Sequence, residues 1–134
     1  MIMETLILQT NYKTEMLDIT KQVKEAVIKS GVKNGLCSVF TPHTTGSIVL
    51  FENVDPNLQR DLLTELTKWA PADKKYSHKG ENAHAHLKSS MSGASVTIPV
   101  ADAQPLFGDW QGVFFIEFDG PRAERKVHVT VING

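Results

Sequence analysis

Apolar and polar positions alternate along this chain with two different periods. From Thr5 to Asp18 the alternation is loose, with Leu6 and Leu8 before a polar break at Asn11 to Thr14, and Met16, Leu17 and Ile19 after it. Two strands are predicted there. The period then becomes helical: Val23, Ala26, Val27 and the edge residue Ser30 share a face, Thr20 is a candidate cap, and Gly31 stands where a left-handed residue ends a helix. The runs GLCSVF and SIVLF follow, of strand length and almost free of charge. Burial on both faces would account for that, so both are expected as central strands.

Asp55 followed by Pro56 has the order of a helix cap and first turn, and Leu58, Leu62, Leu66 and Trp69 fall on one arc of the helix that follows, up to Pro71. Residues 72–82 are polar and read as an ordered loop. AHAHLKSSM is expected as a short helix, and ASVTIPV, GVFFIEF and RKVHVTVI as strands, punctuated by Pro99, Pro105, Pro121, Gly108 and Gly120. This order of elements predicts one α+β domain over residues 1–134, its helices on one face of a largely antiparallel sheet.

With 134 residues, 41% of them hydrophobic and 22% charged, the composition is that of a globular domain with its own core. The formal net charge of −1 supplies no field for a polyanion, so no nucleic-acid partner is expected, while a small anion stays open. Cys37 is the only cysteine, which excludes an internal disulfide and a thiolate cluster for zinc, and fits a reducing, cytoplasmic setting. MIMETLILQT has no basic region, long apolar stretch or cleavage site, and no run of about 18 apolar residues occurs. The expectation is a soluble protein without a membrane partner.

Candidate chemistry begins at TPHTTG, residues 41–46, where a histidine among threonines separates two apolar runs. His43, His78, His84 and His86 lie in two loop-flanked regions, whereas His128 sits at an outward position of a strand. Three imidazoles around zinc would leave a fourth position open. In a helix His84 and His86 point to opposite sides and only one of them can enter a pocket; local sequence does not say which. Glu52 closes an apolar strand and is a candidate base or partner for an imidazole. Glu117 interrupts a nearly continuous apolar run, so it must point out of the sheet, pair with a cation such as Arg122, or sit in a pocket. Trp110 and Gln111 follow a flexible turn and Arg122 a proline, a set suited to a planar group and a phosphate.

Taken together, PHTTGSIVLFENVDP, YSHKGENAHAHLKSSMSGASVTIPV and GDWQGVFFIEFDGPR resemble the YjbQ-like family of secondary thiamine-phosphate synthases over nearly the whole chain. The resemblance implies a two-layer YjbQ-like fold, a homotrimer, and the joining of a hydroxymethylpyrimidine pyrophosphate to a thiazole phosphate. It implies metal ligands at His43, His78 and His86, leaving His84 aside, with zinc the expected ion and magnesium the alternative for pyrophosphate chemistry. It also implies catalytic roles for Glu52, Asp55 and Glu117, and contacts to a small phosphorylated metabolite from Thr44, Thr45, Asn53, Asn82, Trp110, Gln111 and Arg122. Asp109 and Glu81 depart from the family pattern, which usually has threonine and aspartate there. Two other functions fit the same residues: a metal-dependent hydrolase of a small metabolite, and a non-enzymatic trimer that binds a phosphorylated one.

Overall fold

Strands pair so that their alternating apolar residues face inward. The computed structural model describes Met1 to Gly134 and runs β1 (Ile2–Thr10), β2 (Glu15–Asp18), α1 (Thr20–Ser30), β3 (Gly35–Phe40), β4 (Gly46–Glu52), α2 (Pro56–Trp69), α3 (Ala83–Ser92), β5 (Ser95–Ala101), β6 (Gln104–Pro105), β7 (Gln111–Glu117) and β8 (Arg122–Asn133). Every pairing is antiparallel. The expected α+β class and antiparallel pairing are present, but the strands divide between two sheets, ordered β1-β8-β3-β5-β6 and β2-β7-β4.

The main core lies between these sheets. Cys37 and Val39 of β3, Ile98 and Val100 of β5, and Val127, Val129 and Val131 of β8 cluster with Val113 and Phe115 of β7, while Val23, Ala26 and Val27 of α1 complete the cluster. On the other side of β7, Ile116 joins Phe118 and Ala85 of α3, with Leu62, Leu63 and Leu66 of α2 packed against them. Thus α2 and α3 cover the outer side of the three-stranded sheet. β7 is the strand buried on both faces, from Gly112 to Glu117.

Two expectations need correction. β3 lies between β8 and β5, yet its alternate residues Leu36 and Phe40 are exposed, so only one face is covered. β4 is an edge strand paired with β7 alone. Its apolar character has other causes: Ile48 enters the main core, Val49 packs in the second cluster, and the Ile48 N–H donates to the Gly93 carbonyl just past α3, at 3.2 Å.

The helix ends follow from their sequences. Asp55 caps α2 by accepting from the Asn57 N–H at 2.9 Å, with Pro56 in the first turn, and Glu52 accepts from the Val54 and Asp55 N–H groups at 3.2 and 3.0 Å. Gly31 adopts φ 74° after α1, as its position predicts. Thr20 is not the cap, because its hydroxyl is used elsewhere: it bonds Asp18 and accepts from the Val113 N–H at 3.0 Å, tying α1 to β7. Gly46 opens β4 because a Cβ there would lie 2.5 Å from the Phe115 ring.

One buried ion pair ties the sheets at one end. Glu117 of β7 is in phase with Val113 and Phe115, Arg125 of β8 with Val127 and Val129, and both side chains are almost wholly buried. The Arg125 Nε donates to Glu117 Oε1 at 2.8 Å and its terminal nitrogen to Oε2; Thr10 and the Asp119 N–H add bonds of 2.7 and 3.1 Å. Arg125 also donates to the Thr45 hydroxyl at 2.8 Å. Burial alone would raise the Glu117 carboxyl, but the bonds from Arg125, Thr10 and Asp119 outweigh it and hold the group below the usual carboxylate range.

Removing one partner of such a pair leaves a buried charge unmatched. Glu117→Gln is therefore expected to cost about 3–5 kcal/mol in urea unfolding; a loss under about 1 kcal/mol, the ceiling for most exposed pairs, would refute the pair's role. Because folding lowers the Glu117 pKa, its contribution is complete above about pH 4.3, the unfolded value, and is lost as pH falls through the folded one. The acid side of the stability curve should therefore flatten in Glu117→Gln. Asp55→Ala, which removes a cap alone, is expected to cost about 1 kcal/mol by the same measurement.

Candidate functional site

The loop before β4 is held from both sides. The Thr41 hydroxyl donates to the Lys126 carbonyl at 3.0 Å, and Thr45 accepts from Arg125 through its hydroxyl and from the Phe118 N–H through its carbonyl. Between these anchors His43 turns its ring to β8, where Nε2 accepts from the Lys126 N–H at 2.9 Å. An imidazole that accepts through Nε2 carries its hydrogen on Nδ1, so its free ring nitrogen is a donor. Burial lowers the His43 pKa, and the charges of Arg125, Arg122 and Lys126 act in the same direction against Glu117, so the ring favours the neutral form. Thr44, next in the chain, is exposed.

Asp119, in the turn between β7 and β8, extends the polar network outward. Its Oδ1 accepts from Lys13 at 2.7 Å, and its Oδ2 from Asn82 at 3.0 Å and Arg122 at 2.9 Å. Burial would raise this carboxyl, but the bonds from Lys13 and Asn82, the Lys13 charge and the Arg122 bond bring it down to about 2. Arg122 thus pairs with Asp119, and the partner of Glu117 is Arg125 instead. Asn82 in turn approaches His78, with Oδ1 3.2 Å from Nε2, and the His78 ring stands edge-on to His86 with centroids 5.5 Å apart.

The helical turn of α3 separates its two histidines as its periodicity requires. His86 faces His78, while His84 turns inward, where its Nδ1 lies 3.0 Å from Lys88 Nζ. Burial lowers the pKa of both His84 and Lys88, and for His84 the Lys88 charge adds to the effect. His128 keeps its outward place on β8, bonded to Thr5 and stacked on Phe40.

Other expected site residues lie at the opposite end of the β4–β7 ladder. In that ladder Gly46 is opposite Glu117 and Glu52 opposite Gln111. Six steps at about 3.3 Å put the ends about 20 Å apart. Trp110, Gln111 and Glu52, with Leu50, Phe51, Gly108 and Asp109, line a cleft of about 500 Å³, and Trp110 is exposed. Asp55 caps α2, Glu52 accepts from the Val54 and Asp55 N–H groups just before it, and the Asn53 N–H donates to the Trp110 carbonyl at 2.9 Å.

Of the three histidines expected to share a metal, His78 and His86 stand together, and no group of three or more His, Cys, Asp or Glu within the chain is placed to hold an ion. His43 is also unsuited in this arrangement, since its Nε2 lone pair is taken and Nδ1 carries the hydrogen. Sequence reading missed Arg125, Asp119 and Lys88. Arg125 had a signal: it stands in phase with Val127, Val129 and Val131 on the buried side of β8. Lys88 had one too, lying three residues after buried Ala85. Asp119 had none, because its role depends on a turn.

No helix is long and apolar enough to cross a membrane. Comparison with known proteins agrees with the fold throughout. The model of the family described as UPF0047 protein YjbQ-like matches residues 4–134. A UPF0047 protein of Methanocaldococcus jannaschii is 42% identical over 93% of this chain and 90% of its own length, and the UPF0047 protein YugU of Bacillus subtilis is 37% identical over 90% and 92%. Among solved structures, a YbjQ-like protein of unknown function from Sulfolobus solfataricus superposes with a TM-score of 0.96 at 35% identity, covering 99% of this chain and 97% of that one. An uncharacterized conserved protein from Clostridium acetobutylicum gives 0.92 at 44% identity, covering 98% and 100%. Likeness this complete in sequence and in fold makes the chain a member of the YjbQ-like UPF0047 family.

Proposed function

We propose that this protein is an enzyme for a small phosphorylated metabolite, and that its reaction is a thiamine-phosphate synthase-like transfer. In that reaction the pyrimidine methylene loses pyrophosphate, which leaves with the bonding electrons, and the thiazole ring nitrogen forms the new C–N bond. Such a step needs hydrogen-bond donors and positive charge where the leaving anion grows. The observation that carries the reading is the His43 ring, oriented by the Lys126 N–H so that its free nitrogen is a donor, within the field of Arg125 and Arg122. A donor there suits a phosphate oxygen and does not suit a metal ion. Arg122 adds the ends of its guanidinium that Asp119 leaves unused, and Thr44 adds an exposed hydroxyl.

The Trp110 cleft belongs to the same proposal through assembly. One chain holds it about 20 Å from His43, at about 3.3 Å per residue of strand. A homotrimer, which the family resemblance implies, would let the Trp110 end of one copy cover the His43 end of the next and so wall the pyrimidine ring. The hydrolase reading has less support, because Glu117 is committed to a buried ion pair and Glu52 to the Val54 and Asp55 N–H groups through Oε2. A divalent ion, with zinc favoured by imidazole chemistry, would need His43 to give up the Lys126 N–H or a donor from a neighbouring copy.

Purified protein supplied with the pyrimidine pyrophosphate and the thiazole phosphate should release thiamine phosphate and pyrophosphate in equal amounts. His43→Ala should lower kcat by roughly 100-fold, the usual loss for one such donor. Tight binding of either phosphate without turnover, whichever divalent ion is added, would replace the enzyme with a binding protein. Metal analysis decides the other branch: His43→Ala is expected to leave metal content unchanged. One zinc per chain, lost equally from His43→Ala, His78→Ala and His86→Ala, would restore the three-histidine metal site.

A further inference from the structure

The reading above uses His43 and leaves His84 and Lys88 unexplained. Lys88 is 2% exposed and meets no carboxylate; its nearest polar neighbour is the His84 ring, and the face of Phe118 lies 6.0 Å away. A buried cation without a counter-charge is costly, and proteins seldom keep one idle. Its position has a definite consequence for the ring. As an ammonium, Lys88 donates to Nδ1, which places the imidazole hydrogen on Nε2. Were the proton passed to the ring, Nε2 would still carry a hydrogen. While the pair holds that proton, Nε2 is a donor.

That donor has no acceptor. His84 is 2% exposed, and its Nε2 is the one buried side-chain nitrogen or oxygen in the chain without a hydrogen-bond partner. His84 also lines a cavity of about 540 Å³, together with Lys13, Lys74, Lys75, Tyr76, His78, Gly80 and Glu81. Three lysines there stand against one glutamate. Lys13 is partly neutralised by Asp119, whereas Lys74 and Lys75 have no salt bridge. The same cavity adjoins the N-terminus of α3, whose Asn82 makes no side-chain cap because it turns to His78 and Asp119. The start of a helix without a side-chain cap, two exposed lysines without a carboxylate and the His84 ring thus border one cavity.

We propose that this cavity is a binding site for a phosphate group, free or as a monoester, whose oxygens accept from His84 Nε2–H at the floor and from Lys74 and Lys75 at the rim. Lys88 acts through His84 as a positioning residue, fixing which ring nitrogen carries the hydrogen. The site needs nothing from the transfer reaction proposed above and is separate from the His43 ring.

The test is a titration of the full chain, labelled with 15N-histidine, first with inorganic phosphate and then with glycerol 3-phosphate, followed by NMR and by calorimetry. Saturable binding that moves the His84 Nε2 resonance is expected. His84→Phe and the exposed double variant Lys74→Ala/Lys75→Ala should each weaken it about tenfold or more, the worth of one charge-assisted bond. Lys88→Met should weaken binding and shift the His84 ring resonances before any ligand is added, a change that lost packing alone would not confine to that ring. Tighter binding of the monoester identifies a metabolite site, and equal binding a site for the free ion. The proposal is overturned if wild type shows no saturable binding, if the lysine variant binds as wild type does, or if His84 is unmoved at saturation. Should His84→Phe fail to fold, the lysine variant and the resonance decide. Phosphate binding without turnover would remove the transfer reaction and leave this site standing; turnover at unchanged KM in both variants, with no binding here, would do the reverse.

Discussion

A carboxylate and a guanidinium buried together between two sheets constrain this molecule more than any other contact. Neither Glu117 nor Arg125 can reach water, so each hydrogen-bonding direction has to be met by the chain itself. Meeting them recruits Thr10 from β1, Thr45 from the loop before β4 and the Asp119 N–H from the turn after β7. The pair therefore sets the position of both segments that carry candidate chemistry. His43 is two residues from the Thr45 anchor, and Asp119 leads on to Asn82, Arg122 and Lys13. Site geometry here is a consequence of satisfying a buried charge.

Elements whose logic is local were legible in the sequence. The Asp55–Pro56 start of α2, the left-handed Gly31 and the break between β1 and β2 depend on residues within a few positions of one another. What depends on distant strands was not. Both GLCSVF and SIVLF look like central strands, but the strand buried on both faces is GVFFIEF, since β7 is the middle strand of the sheet that lies between the larger sheet and the two helices. Arg125 is visible as a charge in phase with three buried valines, yet the sequence offers Arg122, nearer along the chain, as the cation for Glu117. The turn sends Arg122 outward to Asp119 and returns Arg125 inward.

The candidate site was legible as a set of residues and illegible as a place. Motif residues that follow one another in the chain as Thr45 to Asp55 occupy both ends of an extended strand, and extension separates them by about 20 Å at about 3.3 Å per residue. A helix in the same stretch would have kept them within two or three turns. This geometry divides the expected residues into a histidine end, with Asn82, Glu117 and Arg122, and a Trp110 end, with Glu52 and Gln111. Any single pocket that uses both must be built from more than one chain.

Net charge bears on only part of the question. A value of −1 argues against a polyanion, whose attraction sums over many contacts. It says little about a single phosphate, because exposed charges more than about 8–10 Å away are screened at ordinary ionic strength. Near the N-terminus of α3 the relevant sum is local: Arg125, Arg122 and Lys13 each have a carboxylate, while Lys74, Lys75 and Lys88 have none. The cations divide by depth as well as by partner. Arg125 is buried and matched, Lys74 and Lys75 are exposed and hydrated, and Lys88 alone is buried without an opposite charge. Hydration explains the second kind and pairing the first. The third has only the His84 ring nitrogen and the face of Phe118 to meet it, which is why the positive charge that the sheets leave without a carboxylate points to a ligand more directly than the histidines do.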